Sequence, residues 1–381
     1  MYNIFFLGAG FSRPAELPLG DGLWVEILKT AKSKGLYESL KHTIYEYTEY
    51  FYGITGEKIT EEEVKLEEFM SYLDIDRQLV LKGGDYTAPE KSFKNLIAYV
   101  LHNHERRITD EQFALYEDFV ERLGLYDIVF TFNYDTILEK ALKRKNIPYR
   151  LYPFRHKYDE KAKGLILDGK KEVTILKVHG SINWFDKSYY QEWKDHWTQV
   201  NYDREPPFAV FDGRMDDEIH RLLDEPFPQN DPLKSLYIAE NLDTYFDTYF
   251  WYDKGRISDA PFIIAPSHHK LISLSYLSNF WGGFTNSIIG PNKIVIIGFS
   301  FPAHDEYIRQ PMYWYIRNYH EFGETISGEK SKLKVIDFKK NQTEIDEFKA
   351  NYRFLNEKMT DFYFGGFCEE ALDFIFSEEQ G

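Results

Sequence analysis

Cysteine is almost missing from this chain: Cys368 is the only one among 381 residues. A single thiol excludes an intrachain disulfide and any zinc site built from four cysteines, so no metal site is expected. Long apolar runs are missing too. Met1 to Leu7 is too short for a membrane span or a secretory leader and runs directly into Gly8. The expectation is a cytoplasmic protein with no membrane partner. Positive charge is scarce, with 46 Lys and Arg against 62 Asp and Glu and a formal net charge of −16. That balance argues against direct nucleic-acid binding, which needs clustered Lys and Arg. It leaves room for a local basic cleft around an anionic small molecule. No internal repeat or low-complexity tract occurs.

Aromatic residues are plentiful, at 18% of the chain, carried by 31 Phe and 29 Tyr. They suit either an association surface or a Tyr-rich core. Six runs rich in Val, Ile and Phe read as strands: Tyr2 to Leu7, Ile128 to Thr131, Val173 to Val178, Phe262 to Ala265, Ile294 to Ile297 and Leu333 to Phe338. Their texture does not alternate, which predicts a parallel sheet covered on both faces, and hence an α/β protein. Between the first two strands, residues 23–125 show helical periodicity, in Trp24 to Ala31, Tyr45 to Tyr52, Glu61 to Leu73 and Ser92 to His102. Thr109 followed by Gln112 reads as a capping box that opens a helix through Leu123. Residues 184–260 are polar, aromatic and broken by Glu205-Pro206-Pro207 and Pro226 to Pro232. The predicted organisation is a core of residues 1–22, 126–183 and 261–381, a helical insertion at 23–125 and a mixed insertion at 184–260.

The residues that carry chemistry stand where strands end. Thr131-Phe132-Asn133-Tyr134-Asp135-Thr136 follows the apolar run Ile128-Val129-Phe130. In an open α/β sheet this is the edge at which ligands collect. Asn133 offers an uncharged donor and acceptor, and Asp135 a strong acceptor pair; a helix cap would use the same residues. Gly8-Ala9-Gly10-Phe11-Ser12 suits a phosphate cradle or a tight turn, because glycine lets a backbone come close to a pyrophosphate. Arg13 stands where the dinucleotide fingerprint has its third glycine, as a charge for phosphate or as a surface ion-pair partner. Lys177-Val178-His179-Gly180-Ser181 puts an imidazole at a third strand end, suited to take a proton from water or a ribose hydroxyl, or to a structural role. Gly298 and Ser300 follow a fourth strand. Asp305 reads as a helix cap or a cofactor contact, and Asp337 as a ribose-diol acceptor or an edge acid. His102 and His104 point to different helix faces and make a poor metal pair. His268-His269 reads as structural, and Glu61-Glu62-Glu63 as a solvated helix start. The cluster Tyr245 to Tyr252 suits an interface or a small core.

Taken in order, T-x-N-x-D-T-[IL]-x-E-[KR]-A, G-A-G-x-S, H-G-S and G-x-S resemble the motifs of the sirtuin family, NAD-consuming enzymes on a modified Rossmann fold. Gly365-Gly366-Phe367 with Ala371-Leu372 is similar to the family's closing turn and helix beside the adenine end. The resemblance implies a doubly wound, Rossmann-like parallel sheet, with NAD as substrate. It implies His179 as general base, Asn133 ordering ribose hydroxyls or water, and Asp135 holding the nicotinamide carboxamide. Gly8, Ala9, Gly10, Phe11, Ser12, Thr131, Gly298, Ser300, Asp305 and Asp337 would line the cofactor. Two departures stand out. The four-cysteine zinc module of the deacylases is missing after His179, and Phe132 replaces the Gln that usually precedes the Asn.

These departures put substrate-peptide binding in doubt, and where no acyl-lysine enters, water is the available acceptor. The leading expectation is an NAD glycohydrolase of the bacterial sirtuin-like branch that depletes NAD in antiphage defence. The resemblance further implies a homo-oligomer and an activating partner, a HerA-type hexameric ATPase. The alternatives are an NAD-dependent protein deacylase or ADP-ribosyltransferase, and a non-catalytic nucleotide sensor.

Overall fold

A computed structural model of the chain describes residues 2–79, 88–151, 157–159, 164–166, 171–186, 219–221, 235–239, 241–246, 260–264, 292–301, 306–327 and 332–377. In chain order the strands are β1 (Ile4–Leu7), β2 (Ile128–Thr131), β3 (Tyr149–Leu151), β4 (Lys157–Asp159), β5 (Gly164–Ile166), β6 (Val173–Lys177), β7 (Gly180–Asp186), β8 (Ile219–Arg221), β9 (Leu236–Ala239), β10 (Pro261–Ile263), β11 (Ile294–Ile297), β12 (Leu333–Ile336) and β13 (Thr360–Tyr363). The main helices are α1 (Asp21–Ser33), α2 (Tyr37–Thr55), α3 (Leu66–Leu79), α4 (Ala88–Glu105), α5 (Asp110–Glu121), α6 (Ile137–Arg144), α7 (Glu306–Ser327), α8 (Gln342–Asn351) and α9 (Glu369–Phe376). The chain divides into two compact units, one of residues 1–17, 107–179 and 271–381, the other of residues 18–106 and 180–270.

The first unit holds a parallel sheet in the order β13-β12-β11-β1-β2-β6-β3. Every residue of β1, β11 and β12 is buried, all of them apolar except Lys334 of β12, as expected where helices cover both faces of a sheet. Phe6 stacks on Phe130 at 5.1 Å between ring centroids, while Phe5 meets Phe119 of α5 edge-on at 5.5 Å. Each such ring contributes about 1.5–3 kcal/mol through burial. From β1 the chain builds outward through β2 in one direction and later through β11 in the other. This reversal defines a doubly wound, Rossmann-like α/β fold with its switch point at β1.

The register lines up the strand ends. Leu7, Thr131 and Lys177 are neighbours in the ladder on one side, and Leu7, Ile297, Ile336 and Tyr363 on the other. The residues just beyond them therefore share one edge.

The second unit combines α1 to α4 with an antiparallel sheet in the order β10-β7-β9-β8. Its core is aromatic: Trp24 packs on Phe69 at 5.0 Å, and Tyr47 meets Phe69 edge-on at 5.3 Å. Tyr245 donates to Asn95 Oδ1 at 2.7 Å, and His102 meets Asp243 at 2.9 Å.

Three sequence expectations need correction. The run at Phe262 forms β10, paired antiparallel with β7 and not part of the parallel sheet. Two short sheet strands, β3 and β13, were not anticipated, since Tyr149-Arg150-Leu151 and Thr360-Asp361-Phe362-Tyr363 mix polar with apolar residues and lack the apolar run of the other strands. The Glu61 to Leu73 segment is not one helix: Glu61–Glu63 forms a short 3-10 turn under a Thr60/Glu63 capping box, and α3 begins at Leu66. The Thr109/Gln112 capping box is present, with Gln112 N–H donating to Thr109 Oγ1 at 3.2 Å. Helix α5, which it opens, lies in the first unit. No described helix is long and apolar enough to cross a membrane.

Candidate active site at the carboxyl edge of the parallel sheet

The lined-up strand ends deliver Ser12, Asn133, Asp135 and His179 to one region of the first unit, all of them buried. Asn133 Nδ2 donates to Gly8 O and to Ser12 Oγ, both at 2.9 Å. Ser12 Oγ in turn donates to Asp135 Oδ2 at 2.7 Å. A carbonyl oxygen only accepts, so the Asn133 amide can face Gly8 in one orientation alone. Both of its N–H groups are thereby engaged. Its remaining polar atom, Oδ1, is an acceptor, suited to hydroxyl donors such as those of a sugar or a water. Thr131 supports the same loop, its Oγ1 accepting from Asn133 N–H at 3.1 Å.

Asp135 also accepts from Ile137 N–H through Oδ1 at 3.2 Å and so caps the first turn of α6. One carboxylate, which has about four acceptor positions, thus serves both Ser12 and the start of α6. Behind it, Lys177 is fully buried. Its ammonium donates to the Asp135 carbonyl and pairs with Glu139 Oε1 at 2.8 Å. Lys177 and Glu139 lie inside the sequence motifs, yet their role was invisible there, since charged residues beside a strand end usually read as solvated.

His179 Nδ1 lies 3.1 Å from Phe132 O. The carbonyl can only accept, so in the neutral ring Nδ1 carries the hydrogen and Nε2 the lone pair. Nε2 receives the hydroxyl of Tyr307, from the first turn of α7. Sequence reading missed Tyr307; the only signal was its place two residues beyond Asp305. Phe132, the residue that departs from the sirtuin pattern, stacks on Phe299 at 4.3 Å, locking the loop after β2 to the loop after β11.

The glycine turn serves packing first. A Cβ on Gly10 would stand 2.6 Å from Gly298 Cα, and one on Gly8 would stand 2.4 Å from Gly298 O. Gly298, at φ +63°, would put a Cβ 2.3 Å from Gly10 Cα. Gly8 N–H donates to Ile297 O, Gly10 N–H to Gly298 O and Phe11 N–H to Gly8 O, at 2.9, 2.9 and 3.0 Å. These three amides donate within the protein. Ala9 is exposed. Phe11 is core, packed on Phe367 at 4.6 Å and on Tyr116 at 5.2 Å. Tyr116 ties the turn down, donating to Phe11 O and accepting from Ala15 N–H, both at 3.1 Å. Burial, and secondarily the Asp135 charge, push its phenol well above the ordinary range.

The remaining expected residues divide. Ser300 is exposed, and its carbonyl accepts from Asn351 Nδ2 at 3.1 Å. Asp337 is paired with Lys339 at 2.9 Å and caps Phe338 N–H. Arg13 lies over the Phe338 ring at 4.0 Å. Asp305, His268 and His269 lie outside the described residues. Among the described residues no cluster of three or more His, Cys, Asp or Glu could hold a metal.

The first unit is thus a doubly wound α/β body with a hydrogen-bonded Asn133–Ser12–Asp135 cluster and the His179 imidazole at its switch-point edge. The family model of the SIR2-like domain matches residues 127–211, a segment that contains both Asn133 and His179 but less than half of the chain. Over that segment the chain is similar to the SIR2-like domain. No curated protein matches it. Among solved structures the chain is similar to Sir2Tm, there bound to a propionylated peptide, at 11% identity and a TM-score of 0.25, over 98% of this chain and 90% of that one. A likeness that low supports no residue correspondence, and the fold rests on the strand order itself.

Proposed function

We propose that this protein is an NAD glycohydrolase, cleaving NAD with water to ADP-ribose and nicotinamide. The observation that carries the reading is the pairing of Asn133, its amide oriented by Gly8 so that Oδ1 serves as acceptor, with His179, anchored on the carbonyl of the preceding residue. Breaking the bond between ribose and nicotinamide develops oxocarbenium character at the anomeric carbon. The leaving nicotinamide takes the bonding pair, becomes neutral and needs no acid. The site must therefore order the ribose and prepare water. Asn133 Oδ1 accepts from the ribose hydroxyls or the water, His179 receives the proton, and Asp135 holds the carboxamide while capping α6. Rigid positioning of this kind lowers the barrier by removing orientational freedom.

The decisive test is incubation of purified protein with NAD, with and without an acetyl-lysine peptide, following nicotinamide and ADP-ribose by chromatography. ADP-ribose release that ignores the peptide supports the proposal. Turnover that requires the peptide identifies a deacylase, and binding without turnover a sensor.

We further propose that the protein is an oligomeric effector of bacterial antiphage defence, controlled by a HerA-type hexameric ATPase. Support comes from the aromatic surface of α2, where Tyr45, Tyr50 and Tyr52 are exposed, and from exposed Trp314 on α7. A free, permanently active NADase would kill its host, so control is required by logic.

A further inference from the structure

His179 is buried, and each of its ring nitrogens faces a partner. The Phe132 carbonyl fixes the hydrogen on Nδ1, which leaves Nε2 with a single in-plane lone pair. That lone pair faces the Tyr307 hydroxyl. Tyr307 is the outer member of the pair, half-buried where His179 is only 6% exposed. Its helix is firmly seated, because Ile308 and Met312, in the same first turns of α7, are fully buried. A phenol both donates and accepts. While it gives its hydrogen to Nε2, its oxygen can receive one from water.

We propose that Tyr307 is a further catalytic residue, the relay through which the proton of the attacking water reaches His179. This rests on the NAD glycohydrolase reading. The water oxygen bonds to the anomeric carbon as the carbon–nitrogen bond breaks, and the bonding pair goes to the nicotinamide nitrogen, neutralising its charge. The water hydrogen passes to Tyr307 Oη as the Tyr307 hydrogen passes to His179 Nε2. The products are ADP-ribose, neutral nicotinamide, an imidazolium and an unchanged phenol. The tyrosine need never ionise, because it gains one proton as it loses another.

The test compares wild type, Tyr307→Phe and His179→Ala by nicotinamide release in H₂O/D₂O mixtures, with the unfolding midpoint as a check on folding. The relay predicts at least a tenfold loss of kcat/KM in Tyr307→Phe with little change in midpoint. It also predicts a curved dependence on deuterium fraction in wild type, from two protons in flight, and a linear one for residual Tyr307→Phe activity. Nitrogen-15 NMR of the labelled ring should show His179 Nε2 moving toward a pyridine-type nitrogen without a hydrogen bond in Tyr307→Phe. Wild-type or faster turnover in Tyr307→Phe, with His179→Ala dead, would overturn the relay and leave the glycohydrolase intact. An Nε2 signal unmoved by Tyr307→Phe would overturn the contact on which it rests. An inactive wild type would remove the glycohydrolase reading and the relay together.

Discussion

Lys177 has no exposed side chain, and its ammonium is held between the Asp135 carbonyl and Glu139 Oε1 at 2.8 Å. Glu139 Oε2 is buried with no hydrogen-bond partner, so Lys177 is the cation that neutralises it. Changing Lys177 to Met strands that carboxylate, and removing one member of a buried pair costs about 3–5 kcal/mol. At about 2–4 °C per kcal/mol for a domain of 150–250 residues, Lys177→Met should lower the melting midpoint of the sheet-bearing unit by about 6–20 °C. The double variant Lys177→Met/Glu139→Leu removes both charges and leaves only the Asp135 carbonyl without a donor, at about 1–3 kcal/mol. It should therefore melt above the single variant. Its NAD hydrolysis should stay impaired, because the loop bearing Asn133 and Asp135 has lost its anchor. Differential scanning calorimetry with nicotinamide release separates these effects. A single variant within about 1 kcal/mol of wild type, or a double variant no more stable than the single, would refute the reasoning.

Gly10→Ala and Gly298→Ala should each destabilise the fold by at least about 1–3 kcal/mol through backbone overlap, read by urea denaturation. A glycine needed only for ligand approach would leave the midpoint unchanged. Tyr116→Phe removes the donor to Phe11 O and the acceptor for Ala15 N–H; it should cost about 2 kcal/mol or more and weaken NAD binding in calorimetry. Asp127 is buried, and desolvation raises its carboxyl above 3.8 despite the Asn3 and Gly124 N–H donors. A raised acid favours the folded state as it protonates. Wild type should therefore gain stability relative to Asp127→Asn as pH falls through the folded-state value toward 3.8, and a relative loss by wild type on acidification would contradict the assignment.

The parallel sheet was legible because β1 and β11 are wholly apolar and β2, β6 and β12 are mostly so, and the site because its polar residues stand at or just beyond the ends of those runs. Sequence could not show what depends on packing between segments far apart in the chain. The Phe262 run has the texture of a buried parallel strand, yet its partner is β7. The glycines of the first turn also lie against the backbone of Gly298, a contact that leaves no trace in sequence. Tyr307 and Lys177 acquire meaning only when α7 brings Tyr307 to His179 and α6 brings Glu139 to Lys177. The aromatic excess had two readings. Trp24, Tyr47, Tyr116 and Tyr245 are core, whereas Tyr45, Tyr52 and Trp314 are surface.

The central claim is that Asn133 and His179 cleave NAD. It is tested most directly by nicotinamide release from wild type, Asn133→Ala and His179→Ala, each verified as folded by its melting midpoint. The account predicts hydrolysis by wild type and a loss of at least about a hundredfold in each variant, the scale of a lost acid–base or positioning group. Hydrolysis at the wild-type rate in His179→Ala, or none in folded wild type, would contradict it.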